Sequence, residues 1–322
     1  FMALVMAVAT PAFADPDTAK PDDEKTESKP VPDPVMFESK HSGVFGGQKI
    51  AYHVEAGETY IANEEGDPAA SLFTISYIRD NAGADRPVTF VFNGGPGSAS
   101  VWLNLGLLGP KRVEVASDAD EDDGAAPYSL VDNEQSMLSV TDLVFIDPVG
   151  TGYSRVVGDG ENADYWNEDG DAGSIAEFIR IWITKHKRWN APKYLAGESF
   201  GTTRAAYLAN ELTTGDVDIA LNGIVLISQA LDYEGSTSVD DNVYSYITYL
   251  PSMAAAAQYH GKAGQGIAQA DFLAQARAFA RDEYGPALLK GDRLIPEERA
   301  HIRDRLAYFT GLDPVYIERS SL

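Results

Sequence analysis

Three short runs place residue types able to do chemistry next to turns. The first is Gly197-Glu198-Ser199-Phe200-Gly201. It follows the apolar Tyr194-Leu195-Ala196 and precedes Ala205, Ala206, Leu208 and Leu212 at helical spacing. A serine on such a strand–turn–helix junction projects its hydroxyl, and the helix N-terminus behind it favours a developing negative charge. The chemistry on offer is nucleophilic attack on a carbonyl carbon by Ser199. Gly197 and Gly201 are expected to let strand and helix pass close to the turn. An ordinary turn with a capping serine is the structural alternative. The second run, Asn93-Gly94-Gly95-Pro96-Gly97, follows the apolar stretch 87–93 and leaves the main chain bare, so that its N–H groups can point at a ligand oxygen. A Gly/Pro turn explains the glycines but not the asparagine before them. The third, residues 145–155, is a strand followed by a Gly-rich loop. Gly150-Thr151-Gly152 begins like a dinucleotide loop, but Arg155 stands where the third glycine belongs.

A serine hydroxyl needs a base, and the five histidines are poor candidates. His41 and His53 fall in strand-like sequence. His186 sits among Lys185, Lys187 and Arg188 and is expected to be solvated. His260 and His301 follow Ser199 but lie in helical stretches. The chain order nucleophile, acid, histidine puts the base after the last strand, so the Asp and His of a triad are expected to lie outside this sequence.

The elements that must position these runs follow from periodicity. Residues 47–62 and 70–80 alternate and are rich in Tyr, Ile and Phe, which predicts an antiparallel pair at a sheet edge. Residues 87–93, 142–148, 193–197 and 223–228 are short, nearly continuous apolar runs, as in strands covered on both faces. Ile175, Phe178, Ile179, Trp182 and Ile183 form one helical stripe. The alternation predicts an α/β fold with a mostly parallel central sheet flanked by helices over 39–235. Phe272, Leu273, Ala276, Phe279 and Ala280, then Ile302, Leu306 and Phe309 after Pro296, predict a helical cap or insertion over 236–322, with no further strand. Residues 1–14 read as the remnant of a signal peptide ending in Ala12-Phe13-Ala14, and 15–38 as a disordered acidic, Pro-rich leader. Residues 117–127 read as a solvated acidic loop. The lack of a basic segment before the apolar run, and of strands after 235, leads us to expect a sequence clipped at both ends.

The 322 residues carry a net charge of −24 and no cysteine. Such acidity gives no electrostatic reason to approach nucleic acid or anionic lipid, so neither nucleic acid nor, after signal cleavage, a membrane is an expected partner. Disulfides, thiolate zinc sites and a cysteine nucleophile are excluded. The sequence has no HExxH and no phosphate-binding GxxxxGK[ST], and no metal or cofactor is expected.

Asn-Gly-Gly-Pro-Gly-x-x-Ser, Asp-Pro-x-Gly-x-Gly-Tyr-Ser and Gly-Glu-Ser-Phe-Gly, in this order about fifty residues apart, resemble the serine carboxypeptidase family of α/β-hydrolases. The likeness runs from about residue 70 to the end and includes 221–233, and 246–263 resembles the cap segment of bacterial members. Ser98 stands where many eukaryotic members have cysteine, which fits a bacterial-type member. The resemblance implies an α/β-hydrolase with a helical cap insertion, here without its final strands. It implies Ser199 as nucleophile and the backbone of Gly95 and Phe200 as oxyanion hole. It further implies Asn93 and Glu198 as the pair that binds a substrate's C-terminal carboxylate, with Gly94, Gly97, Gly197 and Gly201 in support. The substrate implied is a peptide with a free C-terminus, cleaved at acid pH, while the signal-peptide remnant leads us to expect an exported, periplasmic or secreted protein. Without the triad Asp and His this fragment is expected to be inactive alone. An esterase or acyltransferase on the same scaffold, or a non-catalytic binding protein, are the alternatives.

Overall fold

The computed structural model describes residues 31–116, 125–215, 218–234 and 242–320. The signal remnant, the leader up to residue 30 and most of the acidic loop lie outside the described residues.

The strands are β1 (Met36–Phe45), β2 (Gln48–Ala62), β3 (Pro68–Arg79), β4 (Val88–Phe92), β5 (Lys111–Val113), β6 (Leu130–Asp132), β7 (Asp142–Ile146), β8 (Arg155–Val156), β9 (Lys193–Glu198) and β10 (Gly223–Ile227). Eight of them form one sheet in the order β1-β2-β3-β7-β4-β9-β10, with β8 paired to β3, while β5 and β6 make a separate hairpin. β1, β2 and β3 run antiparallel, β3 meets β7 antiparallel, and β7, β4, β9 and β10 are parallel. The helices are α1 (Val101–Leu103), α2 (Glu168–Lys185), α3 (Phe200–Thr214), α4 (Val243–Tyr259), α5 (Gln269–Phe279), α6 (Gly285–Lys290), α7 (Pro296–Thr310) and α8 (Pro314–Arg319).

The apolar runs are explained by a sheet covered on both sides. All five residues of β4 and of β7 are buried. Their alternate side chains feed two cores, because successive side chains of a strand point to opposite faces. Phe90, Phe92, Val144, Ile146 and Leu195 meet Ile175, Ile179 and Ile183 of α2 and Leu208 and Leu212 of α3. Val91, Leu143, Phe145 and Ala196 meet Phe45, Tyr52 and Tyr77 from the antiparallel strands, with Leu103, Leu108 and Leu138. Short helical turns and the antiparallel strands therefore cover the second face. The expected stripe on α2 is buried throughout; on α3, Ala205, Leu208 and Leu212 are buried and Ala206 is exposed.

Two differences from expectation have physical causes. β1 begins at Met36, inside the segment expected to be leader, because its ten residues pair in full register with β2. The run 223–228 is not covered on both faces: β10 is an edge strand paired to β9, and Ile224, Val225 and Leu226 are each just over 40% exposed.

Helices α4 to α8 carry a third core of their own, in which Leu250, Phe272, Phe279, Ile302, Leu306 and Phe309 pack together. The stacked and tilted rings of Phe272, Phe279 and Phe309 lie 5.4–5.5 Å apart at its centre. No strand follows β10 among the described residues.

Candidate active site

Ser199 stands between the last residue of β9 and the first of α3, with φ +56° and ψ −125°. A non-glycine residue with that φ is strained and persists only where its surroundings hold it. Here the hold is visible. The Ser199 amide donates to the Ile227 carbonyl at the end of β10 (3.0 Å), and its carbonyl accepts from the Thr202 amide (2.9 Å) and hydroxyl (2.8 Å). Thr202 Oγ1 in turn accepts from the Ala230 amide (2.7 Å), so the loop after β10 is tied to the first turn of α3. A Cβ on Gly197 would collide with the Gly201 carbonyl, and one on Gly201 would come within 2.9 Å of the Phe92 carbonyl. These two glycines are what allow strand, turn and helix to approach so closely.

The second run is packed onto the first. A Cβ on Gly94 would lie 2.5 Å from both the Glu198 carbonyl oxygen and the Phe200 nitrogen. The bare main chain of Gly94 thus sits against the Phe200 amide. Gly95 and Gly97 have φ of +106° and +108°, conformations open to glycine. Asn93 is buried: Nδ2 donates to Glu198 Oε2 (3.1 Å), Oδ1 accepts from the Leu103 amide (3.0 Å), and its carbonyl accepts from Arg204 Nη1 (2.5 Å).

Sequence reasoning missed the residues that hold this loop. Arg204, 3% exposed, donates from Nε to Asp171 Oδ2 of α2 (2.6 Å) and lies 5.4–5.6 Å from the rings of Phe200 and Phe92. Burial pushes the Asp171 carboxyl up from its ordinary range against the pull of Arg204. Asp147, at the end of β7, accepts from the amide and hydroxyl of Ser100, both at 2.8 Å. Ser154 Oγ donates to the Asp147 carbonyl (2.6 Å) and accepts from the Phe73 amide (2.7 Å). The third run is therefore a clasp that fixes the far end of the glycine loop to the sheet. One signal was available for Arg204. It stands on the buried side of α3 between Gly201 and Ala205, where an unpaired cation is costly.

None of the described side chains hydrogen-bonds Ser199 Oγ. His53 pairs with Asp80 (2.8 Å), His301 with Glu283 (2.6 Å), and His41 with Ser39 (2.8 Å), while His260 packs on Tyr259. His186, expected to be solvated, is half-buried. It stacks on Trp182 at 4.1 Å and bonds Glu55 at 3.2 Å, because α2 ends against β2.

A cavity of about 430 Å³ opens beside the turn, lined in part by Pro96, Gly97 and Phe200. No cluster of three or more metal-ligating side chains occurs among the described residues, and none of their helices is long and apolar enough to cross a membrane.

The family profile for serine carboxypeptidase matches residues 49–278, and the chain belongs to that family. Its architecture, a largely parallel sheet flanked by helices with a serine on the strand–helix turn, is that of an α/β-hydrolase. Serine carboxypeptidase-like 16 of Arabidopsis thaliana is 29% identical over 194 residues, covering 58% of this chain and 42% of that protein. Pheromone-processing carboxypeptidase KEX1 of Cryptococcus gattii is 31% identical over 184 residues, covering 56% of this chain and 26% of that protein. The solved structure of the prohormone-processing carboxypeptidase Kex1 from Saccharomyces cerevisiae aligns with TM-score 0.48 at 20% identity, over 80% of this chain and 53% of that one. The chain spans less than half the length of these curated relatives.

Proposed function

We propose that this chain carries the nucleophile and substrate-carboxylate site of a serine-type carboxypeptidase. The observation that carries the reading is the hydrogen bond from Asn93 to Glu198, the residue immediately before Ser199. It leaves the other carboxyl oxygen of Glu198 for a substrate's C-terminal carboxylate. Family membership supports the same reaction. Ser199 Oγ adds to the scissile carbonyl carbon as its proton passes to a base. The oxyanion accepts from the backbone N–H of Gly95 and Phe200. The C–N bond breaks, the C-terminal residue leaves with the proton on its amine, and water hydrolyses the acyl-enzyme. The base and its acidic partner come from sequence outside these 322 residues, and the fragment alone is inactive. Export follows from the run ending at Ala14, and N-terminal sequencing of the mature protein should begin at Asp15.

Two carboxylates facing each other repel, so Glu198 must hold a proton to donate to the substrate. Activity of the full-length enzyme on free-acid peptides should therefore be higher at acid than at neutral pH. Glu198→Gln, neutral at every pH, should flatten that difference. Glu198→Ala should cost about ten- to a hundredfold in kcat/KM, one charge-assisted bond, with less effect on C-terminally amidated peptides. Equal losses on both substrate types would show that Glu198 only supports the turn.

A further inference from the structure

We propose that the outer edge of β1 is a dimer interface, where a second copy of this chain adds its own β1 antiparallel about a two-fold axis at Ser39. β1 is the outermost strand on its side of the sheet, and every residue from Met36 to Ser42 is exposed. Exposed edges of natural sheets are usually short, broken by proline or a bulge, or covered. β1 has none of these devices: it pairs with β2 over ten residues without a register shift and holds no proline. On its other side, no backbone group from Met36 to Phe45 is hydrogen-bonded among the described residues; only at Gly46 does an amide donate across, to the Glu134 carbonyl. The strand also carries no charge excess. It holds one glutamate and one lysine in a chain of net charge −24, so two copies repel least along it.

Charge fixes the register. The Glu58 amide donates to the Val35 carbonyl, so Val35 and every second residue after it turn their backbone groups toward β2. Met36, Glu38, Lys40, Ser42 and Val44 turn theirs outward. Two copies can exchange hydrogen bonds only between outward residues, so the axis passes through a residue and not between two. An axis at Glu38 opposes two glutamates and one at Lys40 opposes two lysines, both unfavourable. An axis at Ser39 sets Glu38 of each copy opposite Lys40 of the other, and no other axis does so. It also sets Phe37, 67% exposed, opposite His41 of the other copy, in the closer, non-hydrogen-bonded positions where aromatic pairs stabilise. His41 is held for that contact, stacked on Tyr52 at 5.6 Å and bonded to Ser39 at 2.8 Å.

Sedimentation equilibrium of the full-length protein tests this and should show a dimer. Glu38→Lys and Lys40→Glu each place like charges opposite one another twice, and each should weaken the dimer about tenfold or more. The double variant Glu38→Lys/Lys40→Glu restores opposite charges in the same register and should recover it. Both positions are exposed, so circular dichroism should be unchanged in all three variants. A second test uses the lack of cysteine in these 322 residues. Facing residues at a non-hydrogen-bonded position have Cα atoms about 4.5 Å apart, within disulfide reach. Ser39→Cys should therefore cross-link into dimers under mild oxidation, and Lys40→Cys, displaced from its own copy, should do so far more slowly. A monomer throughout, a dimer indifferent to both charge reversals, or a double variant as weak as the single ones overturns the proposal. Cross-linking at Lys40→Cys as fast as at Ser39→Cys overturns the register and with it the interface. A protein that dimerises only after residues 15–30 are deleted gives this edge to the chain's own leader and likewise overturns it.

Discussion

Arg204 is the residue on which the glycine loop turns. Its guanidinium joins Asp171 on α2 to the carbonyl of Asn93, and both contacts are buried. Arg204→Met would leave a buried carboxylate without its cation and a carbonyl without its donor. The expected loss is about 3–5 kcal/mol of stability, measurable in urea unfolding. Arg204→Lys keeps the charge but cannot reach two acceptors in a fixed fork, and should recover only part of that loss. The neighbourhood of Asn93, Glu198 and Ser199 was legible in sequence because glycines and an apolar strand mark each turn. The partners Arg204–Asp171 and Ser100–Asp147 were not. They lie 33 and 47 residues apart, and no local spacing announces that a topology will bring them together.

At the scale of elements, the helix stripes and the central strands were readable, since burial on one or two faces leaves a period of 3.6 or an unbroken apolar run. The exposure of β10 was not readable from its own composition, which an edge strand and a central one can share; it follows only from the expected lack of the final strands. Nor was the tether at the end of α2. There Glu55 of β2 accepts from Lys185 (2.8 Å) and meets His186 (3.2 Å). Those hydrogen bonds, that from His186 foremost, hold the Glu55 carboxyl down at about 2, against an ordinary 4.5. The folded-state value is the lower one, so the contribution is complete above the ordinary value and is lost as pH falls through about 2. Glu55→Gln should therefore lower the melting temperature near neutral pH. Its difference from the wild type should narrow across the window from about 4.5 down to about 2 and vanish below it. A difference constant across that window would show that Glu55 acts by packing alone.

The molecule as a whole separates a sheet with two cores from a helical unit with its own. The open edge of the sheet adjoins the candidate site: Ile227 of β10 pairs with Glu198, one residue from Ser199. On the reading proposed above, the exposed β10 edge is the side from which a base reaches Ser199. A lone serine hydroxyl is a weak nucleophile. The 322-residue chain should consequently label slowly with a fluorophosphonate probe, and the full-length enzyme should label rapidly. Brisk labelling of this chain, abolished by His260→Ala or His301→Ala, would place the base in the helical unit instead.

The backbone angle at Ser199 also sets a contest between endurance and reactivity. A residue held at φ +56° costs on the order of 1–3 kcal/mol, and glycine would relieve most of it. Glycine's greater freedom in the unfolded chain returns about 0.5–1 kcal/mol of that gain. Ser199→Gly should accordingly melt a few degrees above the wild type while having no hydroxyl to acylate. A strained position of the fold is then a position at which selection for thermal tolerance and selection for turnover pull in opposite directions.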